Sequence, residues 1–121
     1  MKKDLTCRSD IEKLVNFFFE KLKEDKFLGT YFSHPNFDET QFVTKMYSFW
    51  ENVIFYSGNY EGHPMDTHKK LHEKTPLTKS HFKKYLDVFS ESVDKLFEGE
   101  NAKAIKAKAN NIGVVMQIKI L

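Results

Sequence analysis

Ile11, Leu14, Val15, Phe18 and Leu22 fall at i, i+3, i+4, i+7 and i+11, which places all five on one face of an α-helix. The same spacing returns in three later stretches. Phe42, Met46, Phe49, Trp50, Val53 and Ile54 form the second stripe, and Phe82, Tyr85, Leu86, Phe89, Val93 and Leu96 the third. Ile105, Ala109, Ile112 and Met116 form the fourth. No alternating pattern of the kind that marks a strand interrupts them. This periodicity predicts an all-α chain, and the length of 121 residues suits a single domain covering 1–121.

Punctuation residues set the expected limits. Ser9 and Glu12 have the spacing of a capping box ahead of the first stripe, and Gly29 is expected to end or turn that segment. Pro35 and Asn36 break the pattern within FSHPNFDE, and a second helix is expected from about Asp38. It stops before Ser57-Gly58-Asn59. Pro76 and Thr78 precede the third helix, Gly99 closes it, and the last helix begins near Asn101. Between the second and third helices, Met65 to Leu71 forms a short, mostly polar segment carrying His68, with His72 one turn later. So short a helix is unstable alone and needs tertiary contacts or a ligand to hold it.

Composition narrows the function classes. Twelve Phe, five Tyr and one Trp are more aromatic surface than a minimal helical core requires. They read either as a Phe-rich core or as the lining of a pocket for a flat apolar cofactor. The net charge of +2 comes from Lys interspersed with Asp and Glu, without the basic stripe of a nucleic-acid binder. The single cysteine, Cys7, forms no internal disulfide, which fits a reducing cytoplasm. MKKDLTCRSD has no apolar core, so no signal peptide is expected, and no apolar run is long enough to cross a membrane.

His68 admits three readings on its own residues. It is a solvated surface histidine; or it pairs with His72 on a zinc, with His63 and Glu73 as the nearest further ligands; or it is the axial ligand of a haem, held by a short helix between aromatic-striped neighbours.

The stretch KMYSFWENVIFYSGNYEGHPMDTHKKLHEKTPLTKSHFKKYLDVF resembles the group III truncated haemoglobins of bacteria. IEKLVNFFFEKLKEDKFLGTYF and FEGENAKAIKAKANNIGVVMQIKI resemble the same family, so the likeness runs from about Asp10 to Ile120. Its most specific element is FW followed by GNYxGxPMxxH. The resemblance implies a truncated globin fold, a two-over-two helical sandwich around haem b, with His68 as proximal ligand to the iron. It implies haem contacts from Phe32, Phe49, Tyr60, Leu71 and Phe89. The implied ligands are O2, NO or CO, with an electron donor or reductase as a candidate partner.

The resemblance also exposes three departures on the distal side. Phe19 stands where the family has a tyrosine, Phe42 where a histidine is common, and Tyr85 where a tryptophan is expected. Met46, one turn after Phe42, faces the same pocket by spacing. Bound dioxygen gains partial negative charge and is helped by a donor, and only Tyr85 retains a hydroxyl in this set. That hydroxyl either reaches the ligand or turns to the helix surface. Peroxidase-like or NO-detoxifying turnover needs distal polar groups, so ligand binding is the leading expectation. The competing one is a globin-like module that has lost haem chemistry and serves regulation or partner binding.

Overall fold

A computed structural model describes residues 2–32, 35, 37–55 and 78–120. The short segment Met65 to Leu71, with Tyr60, His63, His68, Leu71, His72 and Glu73, lies outside the described residues. Five helices are present among the described residues: α1 (Arg8–Glu24), the single turn α2 (Gly29–Phe32), α3 (Glu39–Phe55), α4 (Lys79–Leu96) and α5 (Glu100–Ile120). No strand occurs among the described residues, as the periodicity predicts.

The helix starts show where local signals prevail and where they do not. The capping box expected at Ser9 and Glu12 is not formed. α1 begins at Arg8, and its N-cap, Cys7, makes no side-chain cap. Asp10 instead folds back on the preceding strap, accepting hydrogen bonds from the Thr6 N–H at 3.0 Å and the Lys3 ammonium at 2.9 Å. A capping box does form at α4. There the Thr78 hydroxyl accepts from the His81 N–H, and His81 Nδ1 accepts from the Thr78 N–H at 3.0 Å. The His81 ring lies flat on Phe27, with centroids 4.2 Å apart, so the cap also ties α4 to the turn after α1. Burial lowers the His81 pKa, which favours the neutral ring whose Nδ1 can accept.

Gly29 opens α2 rather than ending α1, which stops at Glu24. A Cβ at Gly29 would lie 2.7 Å from the Lys23 carbonyl oxygen, so the residue is needed for close approach of the two turns. Asp38 caps α3 by accepting from the Gln41 N–H at 2.9 Å. Gly99, with φ of 141°, turns the chain between α4 and α5. Asp4 crosses from the N-terminal strap and accepts from the Asn101 and Ala102 N–H groups, both at 2.9 Å. These N–H donors at the start of α5 hold the Asp4 carboxyl below its ordinary range, against the upward push of burial.

Two antiparallel helix pairs build the domain. Arg8 meets Glu51 at 3.0 Å and Lys23 meets Glu39 at 3.1 Å, so α1 and α3 run in opposite directions. Asp94 meets Lys106 at 2.6 Å, while Gly113 lies against Leu86, so α4 and α5 also run antiparallel. α1 packs on α4 and α3 on α5, which joins the pairs through a common core. Phe18, Phe89, Ile11, Leu14, Leu22, Ile105 and Val93 are fully enclosed there. None of the described helices is long and apolar enough to cross a membrane.

Asp10 gives this fold a defined acid sensitivity. Burial alone would raise its pKa, but the Lys3 ammonium and the Thr6 N–H and hydroxyl outweigh it and hold the carboxyl at about 2. A depressed pKa contributes stability above the unfolded value, near 4, and loses it as pH falls towards 2. The contribution at neutral pH is about 1 to 2 kcal/mol, reduced from the full shift because Lys3 is largely exposed. Asp10→Asn is therefore expected to lower the urea stability by about this amount at pH 7. The difference from the unsubstituted chain should close between pH 4 and 2; an undiminished difference at pH 2 would contradict the linkage.

Candidate distal pocket

The aromatic stripes of α1 and α3 meet the turn between them in a cage. Phe19 of α1, Phe32 of α2, Phe42 of α3 and Phe37 from the connection contribute one ring each. Phe19 lies 6.1 Å from Phe32, 6.2 Å from Phe37 and 5.6 Å from Phe42 between ring centroids. Phe32 is 5.5 Å from Phe37 and 5.7 Å from Phe42, and the Phe37–Phe42 separation is 5.3 Å. All six separations fall in the range of favourable aromatic contact. Met46 is buried one turn beyond Phe42.

Tyr85 of α4 joins this cage to the deeper core. Its ring centroid is 6.2 Å from Phe32 and 5.0 Å, edge-on, from Phe18. Phe18 then meets Phe89 edge-on at 5.0 Å, Phe89 stacks on Trp50 at 5.1 Å, and Trp50 meets Phe49 at 4.9 Å. The result is one continuous aromatic run from Phe37 to Phe49. Tyr85 keeps part of its surface open, yet protein surrounds the hydroxyl closely enough that burial raises its pKa well above the ordinary value. At neutral pH it is a protonated phenol, able to donate a hydrogen bond.

The run is almost free of competing polarity. The buried polar residues among those described are Asp10 and Ser92. Asp10 is held by the N-terminal strap, and the Ser92 hydroxyl donates to the Val88 carbonyl at 2.7 Å. Trp50 Nε1 is buried and meets no acceptor among the described residues. No cluster of three or more metal-ligating side chains occurs among them either. Apart from the Lys23 ammonium, 5.2 Å from the Phe19 ring centroid, the cage rings form a large apolar aromatic face with the chemistry to contact a flat macrocycle, so these residues fit a haem.

The structure therefore brings together Phe19, Phe32, Phe42 and Tyr85, with Met46 buried alongside. Phe49 and Phe89 sit further along the run, linked to the cage through Trp50, Phe18 and Tyr85. His68, Tyr60 and Leu71 fall outside the described residues. Phe37 is a cage member that periodicity does not single out. It lies in the Pro-Asn break between helices, where no repeat marks an inward face. The clue was its place in an aromatic-rich connection, FSHPNF.

Comparison with known proteins agrees with this architecture. The profile of the bacterial-like globin family matches residues 4–118. The chain is 29% identical over 116 residues to group 3 truncated hemoglobin ctb of Campylobacter jejuni, covering 93% of this chain and 89% of that protein. The crystal structure of group III truncated hemoglobin from Campylobacter jejuni matches with a TM-score of 0.86 at 28% identity. That match covers 100% of this chain and 96% of the other, and shows the all-α truncated globin fold.

Proposed function

The chain belongs to the bacterial-like globin family, and on that premise we propose that it holds haem b and reversibly binds small diatomic gases, O2, NO or CO, in an apolar distal pocket. The observation that carries the reading is the cage of Phe19, Phe32, Phe37 and Phe42, closed by Tyr85. His68 is the proposed proximal ligand. Phe32, Phe49, Tyr60, Leu71 and Phe89 are the proposed contacts to the porphyrin. The haem would supply an iron with a coordination position open to a diatomic ligand.

The chain's own residues set how such a ligand is held. Phe19 and Phe42 exclude water and offer no donor, so they leave a polar ligand unsupported while treating an apolar one well. Among the described residues of the cage Tyr85 supplies the hydroxyl, kept protonated by its burial. A cage whose described residues are mostly phenylalanine suits reversible binding better than oxygen activation, which draws on several distal polar groups. We place this activity in the cytoplasm in a single domain, with an electron donor or reductase as the partner that maintains the ferrous state.

Haem titration followed by absorption tests the reading. A Soret band with one haem per chain is expected, with axial imidazole features in the ferric, ferrous and CO-bound spectra. His68→Ala is expected to remove those features, and added imidazole to restore them. A folded chain that takes up no porphyrin would support the competing role as a regulatory or partner-binding module. Unaltered axial spectra in His68→Ala would exclude this residue as the ligand.

A further inference from the structure

The capping box at the start of α4 is closed by a side chain that titrates. Thr78 and His81 fill its two positions, the second of which is ordinarily Glu or Gln. The Thr78 N–H donates to His81 Nδ1 at 3.0 Å, the Thr78 hydroxyl lies 2.8 Å from the same atom, and the His81 N–H donates back to that hydroxyl at 3.3 Å. Nδ1 accepts from the Thr78 N–H only while it carries no proton. On its other side the imidazole lies 8° from parallel with the Phe27 ring, with centroids 4.2 Å apart. One ring therefore joins the cap of α4 to the turn after α1.

Among the described residues, the turn that carries Phe27 supplies the charges of Asp25 and Lys26, and the first turns of α4 those of Lys79, Lys83 and Lys84. Asp25 is committed elsewhere. Its Oδ1 accepts from the Phe27 and Leu28 N–H groups at 2.8 and 2.9 Å, and its Oδ2 meets Lys84 at 3.4 Å. Lys83 meets Asp87 at 2.8 Å. A proton on His81 adds its charge to these lysines at the positive end of the α4 dipole. Burial of the ring disfavours that proton further. Protonation moves the contact rather than deleting it. An imidazolium still stacks on Phe27 and gains a cation–π attraction. On the other side its Nδ1–H opposes the Thr78 N–H, and that backbone donor loses its acceptor.

We propose that His81 makes the start of α4 an acid-sensitive hinge: neutral, its ring locks the Thr78 cap against Phe27; protonated, it stays with Phe27 and releases Thr78. The Phe82 N–H donates to the Thr78 carbonyl at 3.2 Å, so the released residue also begins the helical ladder of α4. Tyr85 lies one turn after His81, with its ring 6.2 Å from Phe32. Loosening the first turn therefore reaches the ring that closes the cage, and oxygen release varies with pH through Tyr85. That consequence rests on the haem reading above; the hinge itself does not. Because burial depresses the histidine pKa, the cap is fully present above the ordinary value, near 6.5, and is lost as pH falls through the lower value of the folded chain.

Amide hydrogen exchange followed by NMR against pH tests the hinge in the haem-loaded, CO-bound chain. After correction for intrinsic exchange, the His81 and Phe82 N–H groups are expected to lose about tenfold in protection between pH 7 and pH 5, equivalent to about 1.4 kcal/mol. The midpoint should match the titration of the His81 ring. His81→Gln completes the box with a side chain that does not titrate, so its protection should stay constant over that range while the other histidines still titrate. His81→Ala should show the low protection at both pH values.

Stopped-flow oxygen release should follow the same midpoint in the unsubstituted chain and lose it in His81→Gln. Protection that stays constant in the unsubstituted chain would overturn the hinge, as would a pH dependence that persists in His81→Gln. The expected exchange with pH-independent oxygen release would overturn the link to Tyr85 and leave the hinge standing. Absence of any Soret band would overturn the haem reading, and exchange in the haem-free chain then decides the hinge by itself.

Discussion

Phe42→His in the haem-loaded protein is expected to slow oxygen release by about 5- to 150-fold, the range corresponding to one hydrogen bond of about 1 to 3 kcal/mol. Phe42 is buried on the inner face of α3, and its ring contacts Phe19, Phe32 and Phe37. An imidazole at that position places an N–H in a cage otherwise closed to water, where a partly negative dioxygen has no other new partner. Carbon monoxide, which carries less charge, should respond much less. Stopped-flow measurement of O2 and CO dissociation therefore separates a polar effect from a change in pocket size. Equal changes for both gases would mean that the substitution only loosened the packing.

Tyr85→Phe provides the complementary measurement. If the phenol donates to the ligand, oxygen release should accelerate and CO release should stay nearly constant. Unchanged oxygen release would assign the hydroxyl a purely structural role.

The second large effect is on stability. Phe18→Ala is expected to destabilise the fold by about 3 to 5 kcal/mol, the usual cost of removing a buried phenylalanine. Phe18 is fully enclosed and makes edge-on contacts at 5.0 Å with both Tyr85 and Phe89. Removing it opens a cavity at the crossing of α1 and α4 and breaks the aromatic run between the cage and Trp50. Domains of this kind are stable by only about 5 to 15 kcal/mol, so about a fifth or more of the total would be lost. Urea denaturation should show a large fall in the midpoint. The neighbouring Phe17, half-buried beside the Lys21 ammonium, is the control. Phe17→Ala should cost only a small fraction of that, and comparable losses at both positions would contradict the packing assigned to Phe18.

The helices themselves were legible from spacing. A 3.6-residue repeat determines which side chains share a face, and this property is local. The stripe through Phe42, Met46 and Trp50 is the buried face of α3, and the stripe through Phe82, Phe89 and Val93 is that of α4. Asp38 and Thr78 mark helix starts because a short polar side chain next to the first free N–H groups is sufficient to cap them. Local reasoning failed where a non-local partner competed. Ser9 and Glu12 had the spacing for a capping box, but Asp10 is engaged by Lys3 and Thr6 of the strap. Gly29 looked like a terminator, yet its role is to let α2 approach the Lys23 carbonyl.

From the sequence alone came the all-α class and the four inward stripes, while the axial role of His68 and the loss of distal donors at Phe19 and Phe42 are what the resemblance implies. Only tertiary packing decided which rings converge, because Phe19, Phe32, Phe37 and Phe42 come from four separate segments, and a repeat within one helix carries no information about where another crosses it. Phe37 joins the cage from a segment with no repeat. These features depend on contacts between residues distant in the chain, which periodicity cannot encode.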